Sequence, residues 1–162
     1  MTFEQAVAFV LEQEGGISDL AGDSGGLTKF GISKRNHPDL DIANLTKEQA
    51  IEIYRTDYWR KLCCDQLPNG LDLLVFDAAA NEGPTRAAKM LQTILKVTED
   101  GIVGPSTIKA ARNAPDVLTG YLAQRMYQYA LLPQVLTFGR GWYRRLARAA
   151  QLAMGTEDRS TR

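Results

Sequence analysis

A chain of 162 residues, 44% of them hydrophobic, is long enough for one compact domain with a real core, which excludes disorder as the main state. Lys plus Arg equals Asp plus Glu at 19 each, so the formal net charge is zero and the overall balance gives no reason to expect a nucleic-acid or membrane partner. The only two cysteines, Cys63 and Cys64, are adjacent and lack zinc-site spacing, so no disulfide framework, metal or cofactor is expected; Cys here reads as a small buried apolar residue of a chain made in a reducing compartment.

In chain order, Thr2 with Gln5 forms a capping-box pattern, and Phe3, Ala6, Val7, Val10 and Leu11 recur at helical spacing, predicting a helix over 3–14 that ends at Gly15-Gly16. Glu4, Glu12 and Glu14 interrupt any apolar run long enough for a signal peptide or a membrane span. Gly15, Gly16, Gly22, Gly25 and Gly26, with Asp and Ser between them and Gly31 after, suit tight turns and a small β-hairpin. His37, beside Pro38, has no partner that suggests catalysis and reads as a surface-loop residue.

Thr46 and Gln49 repeat the capping box and predict a second helix to about Leu62. Leu71 to Asn81 is apolar nearly all round, as in a helix at the centre of a helical domain. Pro84 and Pro105 suit first-turn positions and open predicted helices over 84–96 and 105–113. Two more helices are predicted over 115–131 and 141–154, with a joint at Thr98-Glu99-Asp100-Gly101 and a flexible polar tail over 155–162. The last helix carries Arg140, Arg144, Arg145 and Arg148 and reads as a packing helix with a solvated basic face; the other reading is a surface for anionic polymers or lipid. The fold class is mainly α with one small β element near its start.

Glu14, Asp23 and Thr28 fall in the order that glycoside hydrolysis uses. One carboxyl group protonates the leaving oxygen while another supports an oxocarbenium-like centre or orients water. A helix C-terminus beside two residues without side chains favours a protonated Glu14, through desolvation and the helix dipole. Asp23, in a Gly-rich turn, would stay ionised and hold a water with the Thr28 hydroxyl. Glu12 and Asp19 are the rival carboxylates. The plainer reading makes Glu14 a solvated helix end, Asp23 a turn former and Thr28 a strand residue. Tyr54, Tyr58 and Trp59 could stack on sugar faces, although aromatic residues at helical spacing also serve as core.

Glu14-Gly15-Gly16 followed by Asp23-Ser24-Gly25-Gly26-Leu27-Thr28-Lys29-Phe30-Gly31-Ile32-Ser33 resembles the signature of glycoside hydrolase family 108, the bacterial and phage N-acetylmuramidases. Tyr54 to Trp59 with Cys64 to Pro68, and Val75 to Gly83, resemble two further blocks of that family. The resemblance implies a lysozyme-like fold over 1–97 and cleavage of the bond between N-acetylmuramic acid and N-acetylglucosamine in peptidoglycan. It makes Glu14 the catalytic glutamate and sets Asp23 and Thr28 as its partners. Residues 17 to 23 depart from the family's commoner loop, and Thr28 falls one residue earlier than in phage-type lysozymes. Asn81 is implied as a cleft-wall donor to an N-acetyl group or a brace for Glu14, with a helix cap as the alternative. Asp100-Gly101-Ile102-Val103-Gly104-Pro105-Ser106-Thr107 resembles the turn of small peptidoglycan-binding modules, in a helical part over 98–154 packed into the same domain.

The expectation is therefore a monomeric, metal-independent muramidase with peptidoglycan glycan strands as its partner, no nucleic acid and no membrane insertion. It would be made in the bacterial cytoplasm without a signal peptide and reach the wall through a holin-like pore or a secretion route. The alternatives are a lytic transglycosylase and a noncatalytic peptidoglycan-binding module on a lysozyme scaffold.

Overall fold

The computed structural model describes residues 1–14 and 28–155. Helix α1 (Phe3–Glu14) is followed by a two-stranded antiparallel hairpin, β1 (Thr28–Lys29) and β2 (Ile32–Ser33), in which Thr28 faces Ser33 and Lys29 faces Ile32. Then come α2 (Lys47–Ile53), α3 (Leu71–Glu82), α4 (Pro84–Leu95), α5 (Pro105–Asn113), α6 (Val117–Ala130) and α7 (Val135–Gly155). The architecture is mainly α and lysozyme-like, with a small β element.

Local chemistry accounts for the helix starts. The Thr2 amide donates to Gln5 Oε1 (3.1 Å) and the Gln5 amide to Thr2 Oγ1 (3.3 Å), and Thr46 with Gln49 repeats this reciprocal cap on α2. Pro84 and Pro105 occupy first-turn positions of α4 and α5, where a missing N–H costs no helical hydrogen bond.

Helix α3 lies at the centre. It buries Leu71 through Ala79 and packs against α1, α4, α6 and α7. Phe76 meets Phe3, Tyr54 and Trp59 edge-on at 6.0, 5.9 and 5.3 Å, a set of contacts that each add about 1 kcal/mol beyond burial.

Two boundaries differ from expectation. The second helix does not run on as an α-helix to Leu62, because Tyr54–Arg60 winds as a wider π-helical segment. The Thr56 hydroxyl donates back to the Glu52 carbonyl (3.0 Å), competing with the backbone ladder, and the wider turn brings Tyr54, Tyr58 and Trp59 together onto the core side. The last helix starts at Val135 rather than Gly141. Gly139 is buried inside it, and a Cβ there would stand 3.1 Å from Val135 Cγ2 of the preceding turn. Of the tail expected over 155–162, Gly155 closes α7 and 156–162 lie outside the described residues.

The turn after α4 is held by one buried side chain. Gln92 Nε2 donates to Asp100 Oδ1 (2.6 Å) and the Ile102 carbonyl (3.0 Å), while Gln92 Oε1 accepts from the Gly101 amide (2.9 Å). Cys64 is buried, its thiol pKa pushed up by that burial, and both cysteines are free. Among the described residues no helix is long and apolar enough to cross a membrane.

Candidate active site

Glu14 is the last residue of α1, and its side chain remains 20% exposed. The hairpin closes over it. Phe30 and Gly31 form a two-residue turn with φ of 53° and 78°, the geometry favoured between antiparallel strands. A Cβ on Gly31 would stand 2.8 Å from Glu14 Cγ and 2.9 Å from Cδ, and would collide with Tyr54 Oη. Only a residue without a side chain lets the turn approach the carboxyl group this closely.

Tyr54 Oη donates to the Phe30 carbonyl (3.0 Å) and so ties the turn to the core. Burial pushes the Tyr54 phenol far above its usual range, and the nearby Glu14 charge adds to the shift. Tyr58 is raised by burial first, then by Asp57 and Glu14.

On its other side Glu14 meets Arg145 of α7, whose Nη1 donates to Glu14 Oε1 at 2.6 Å. Arg145 Nε donates to Asp77 Oδ1 (2.8 Å), and the second Asp77 oxygen accepts from Arg125 Nη1 (2.5 Å). Arg125 Nε continues to Glu82 Oε1 (3.0 Å), and Arg86 Nε lies 3.4 Å from Glu82 Oε2. Charges therefore alternate from Glu14 through the centre of the molecule to the surface at Arg86.

The middle of this series is fully enclosed, since the side chains of Asp77 and Arg125 have no exposed surface. Burial alone would lower the Arg145 pKa, but the carboxylates of Asp77 and Glu14 outweigh it and hold the guanidinium charged. Arg125 follows the same balance with Asp77 and Glu82 and also lies 5.5 Å over the Tyr129 ring. Enclosed charges persist only when each has such a partner.

Several predicted site residues are located by the structure. Thr28 opens β1 on the hairpin that covers Glu14. Gly15, Gly16, Asp19 and Asp23 lie outside the described residues. Tyr54 and Tyr58 correct the sugar-stacking expectation. Tyr54 is 1% exposed and Tyr58 is buried, with ring centroids 5.2 Å apart and Tyr54 edge-on to Phe76, so both rings pack in the core. Asn81 is exposed at the end of α3 and donates to Tyr129 Oη (2.9 Å), not to Glu14.

The inward role of Arg145 was missed in the sequence. Arg140, Arg144 and Arg148 do face water, whereas Arg145 turns toward Glu14 and Asp77. Two signals pointed there. Arg145 adjoins the buried stripe of Leu146, Ala149 and Ala153, and Asp77 sits inside an otherwise apolar helix, where an acid demands a buried cation.

The glycosyl hydrolase 108 family model matches residues 7–83, a stretch containing Glu14, Thr28, Asp77 and Asn81. The solved structure of Brucella abortus SagA is similar at 34% identity, covering 94% of this chain and 94% of that one, with a TM-score of 0.86. No curated protein matches. With the fold shared over almost its whole length and the family's sequence pattern enclosing Glu14, the chain belongs to the glycosyl hydrolase 108 family and is a glycoside hydrolase.

Proposed function

We propose that this chain is an N-acetylmuramidase that hydrolyses the β-1,4 bond between N-acetylmuramic acid and N-acetylglucosamine in peptidoglycan. Glu14 is the general acid that protonates the leaving oxygen. Asp23, with the Thr28 hydroxyl, positions water on the opposite face of the sugar. The observation that carries this reading is the fixing of one carboxyl group from two sides, by the Gly31 turn and by Arg145, in a member of a glycoside hydrolase family.

Arg145 has a second role in this mechanism. Proton donation requires Glu14 to carry a proton, and a guanidinium can only donate hydrogen bonds. Because Arg145 Nε is also held by Asp77, the Glu14 contact can open while Arg145 stays paired and placed. The positive charge of Arg145 then stabilises Glu14 as it gives up its proton and becomes anionic. The helices over 98–154 supply Arg125 and Arg145, so they act in this reading as part of the catalytic unit. The enzyme works as a monomer on the bacterial wall after synthesis in the cytoplasm, released by a pore-forming partner or a secretion route.

Mass analysis of muropeptides after digestion by the native enzyme and Glu14→Gln tests the proposal. Native digests should contain reducing N-acetylmuramic acid ends, and Glu14→Gln should release none while melting as the native protein does. Anhydro-sugar ends would instead identify a transglycosylase, and full activity of the Gln variant would remove Glu14 from the chemistry.

A further inference from the structure

Phe138, Trp142 and Arg145 occupy positions i, i+4 and i+7 of α7, which places them on one stripe of the helix. Arg145 reaches Glu14. Trp142 lies with its ring centroid 5.3 Å from Tyr129 and 6.1 Å from Phe138, the planes tilted by 35° and 34°. Tyr129 in turn accepts the Asn81 amide hydrogen bond.

The order along the two helices is parallel in content. Asn81 lies one turn beyond Asp77 on α3, and Trp142 lies about one turn before Arg145 on α7. A charged layer of Asp77 and Arg145 thus adjoins an aromatic and amide layer of Asn81, Tyr129 and Trp142, and Phe138 extends it outward. At 1.5 Å per residue the stripe runs about 10 Å from Arg145 to Phe138. Phe138 is 55% exposed, and its ring neither fills the core nor supports an ion pair.

We propose that Phe138, Trp142 and Asn81 form an extension of the glycan-binding surface and take an N-acetylated sugar of the strand beyond the bond that is cut. The aromatic faces lie against the apolar C–H face of the sugar ring, and the Asn81 amide meets its N-acetyl group. This inference rests on Glu14 being the cleaving residue. A saccharide is favoured over a protein partner by continuity with the Glu14 and Arg145 pair, and by a row that joins aromatic faces to an exposed amide. The exposed aliphatic residues Leu131, which caps α6, and Leu136, in the first turn of α7, offer neither an aromatic face nor a polar group to such a sugar.

Titration of the Glu14→Gln protein with a soluble N-acetylglucosamine oligosaccharide tests the assignment without cleavage. The other tryptophan, Trp59, is buried in the core, so a change in indole emission reports Trp142. Binding should shift that emission. Adding Phe138→Ala should raise Kd about fivefold, the loss expected for one aromatic contact, and Phe138→Tyr should restore it. Because Phe138 is exposed, its variants should keep the native melting temperature.

An unchanged Kd in Phe138→Ala would overturn the proposal, as would failure of the oligosaccharide to bind. A change in sedimentation with Kd unchanged would also overturn it, by assigning the row to self-association. Muropeptide analysis of the native enzyme decides separately whether Glu14 cleaves, so a failure of that reading is distinguishable from a failure of the aromatic row.

Discussion

Arg145 Nη1 lies 2.6 Å from Glu14 Oε1 across a separation of 131 residues, and the same guanidinium holds Asp77 through Nε. The two contacts set different consequences for replacement. Arg145→Met removes a charge that Asp77 needs in a buried position, so the folded state should lose about 3 kcal/mol. Urea denaturation of Arg145→Met and Arg145→Lys checks this. Lys keeps the charge but not the fork that spans both carboxylates, so it should recover only part of the loss.

Gly31 sets the distance between the hairpin and Glu14. Gly31→Ala adds a Cβ 2.8 Å from Glu14 Cγ at a φ of 78°, so the turn must retreat or the carboxyl group must move. Stability should fall by about 1 kcal/mol from the backbone conformation. Turnover on peptidoglycan should fall further, by about tenfold or more, because the proton donor is displaced. Denaturation midpoints measured beside kcat separate the two effects; a loss of kcat no larger than the loss of folded protein would remove Gly31 from positioning.

Alkaline pH should unfold the protein through its buried phenols. Burial raises the Tyr54 and Tyr121 pKa values far above 10, the ordinary value. Above pH of about 10 the unfolded chain releases these protons while the folded chain keeps them. The unfolded state then binds fewer protons, so stability declines as pH rises from the unfolded pKa toward the folded one. Below that window the contribution is fully present. Tyr54→Phe should start about 1 kcal/mol lower through loss of the Phe30 carbonyl bond, yet show a shallower alkaline decline in melting temperature.

The Asp100 turn should behave as an element of the fold. Gln92→Leu leaves the Gly101 amide without its acceptor and removes the bonds that tie Asp100 and the Ile102 carbonyl to α4, and should cost about 2 kcal/mol. Hydrogen exchange at 98–104 should accelerate, while binding of intact sacculi measured well below the melting temperature should not change. Loss of sacculus binding with unchanged exchange would give the turn a recognition role instead.

Much of the scaffold was legible because its signals are local. The paired caps at Thr2 with Gln5 and Thr46 with Gln49, the first-turn prolines and the mostly apolar Leu71 to Ala80 segment each act within a few residues. Glu14 at its helix end could be singled out for the same reason. Its partner was only hinted at, because Asp77 in an apolar helix calls for a cation, but which arginine of α7 turns inward depends on how α7 is rotated against α3, a relation that exists only in the packed molecule. The widening at Tyr54–Arg60 was hidden likewise, since it answers to three aromatic side chains competing for one core. The last helix starts at Val135 instead of Gly141, so Gly139 and Gly141, residues of a type that weakens a helix in water, both lie inside it.

The acids of the buried series, Glu14, Asp77 and Glu82, all fall inside the family-matched stretch 7–83, while Arg125 and Arg145 come from the last two helices. The recognisable motif and its neutralising charges are thus encoded at opposite ends of the sequence. Grafting the motif alone onto another scaffold would carry across three anions and leave their counterions behind. A transplant of this site has to import α6 and α7 with it.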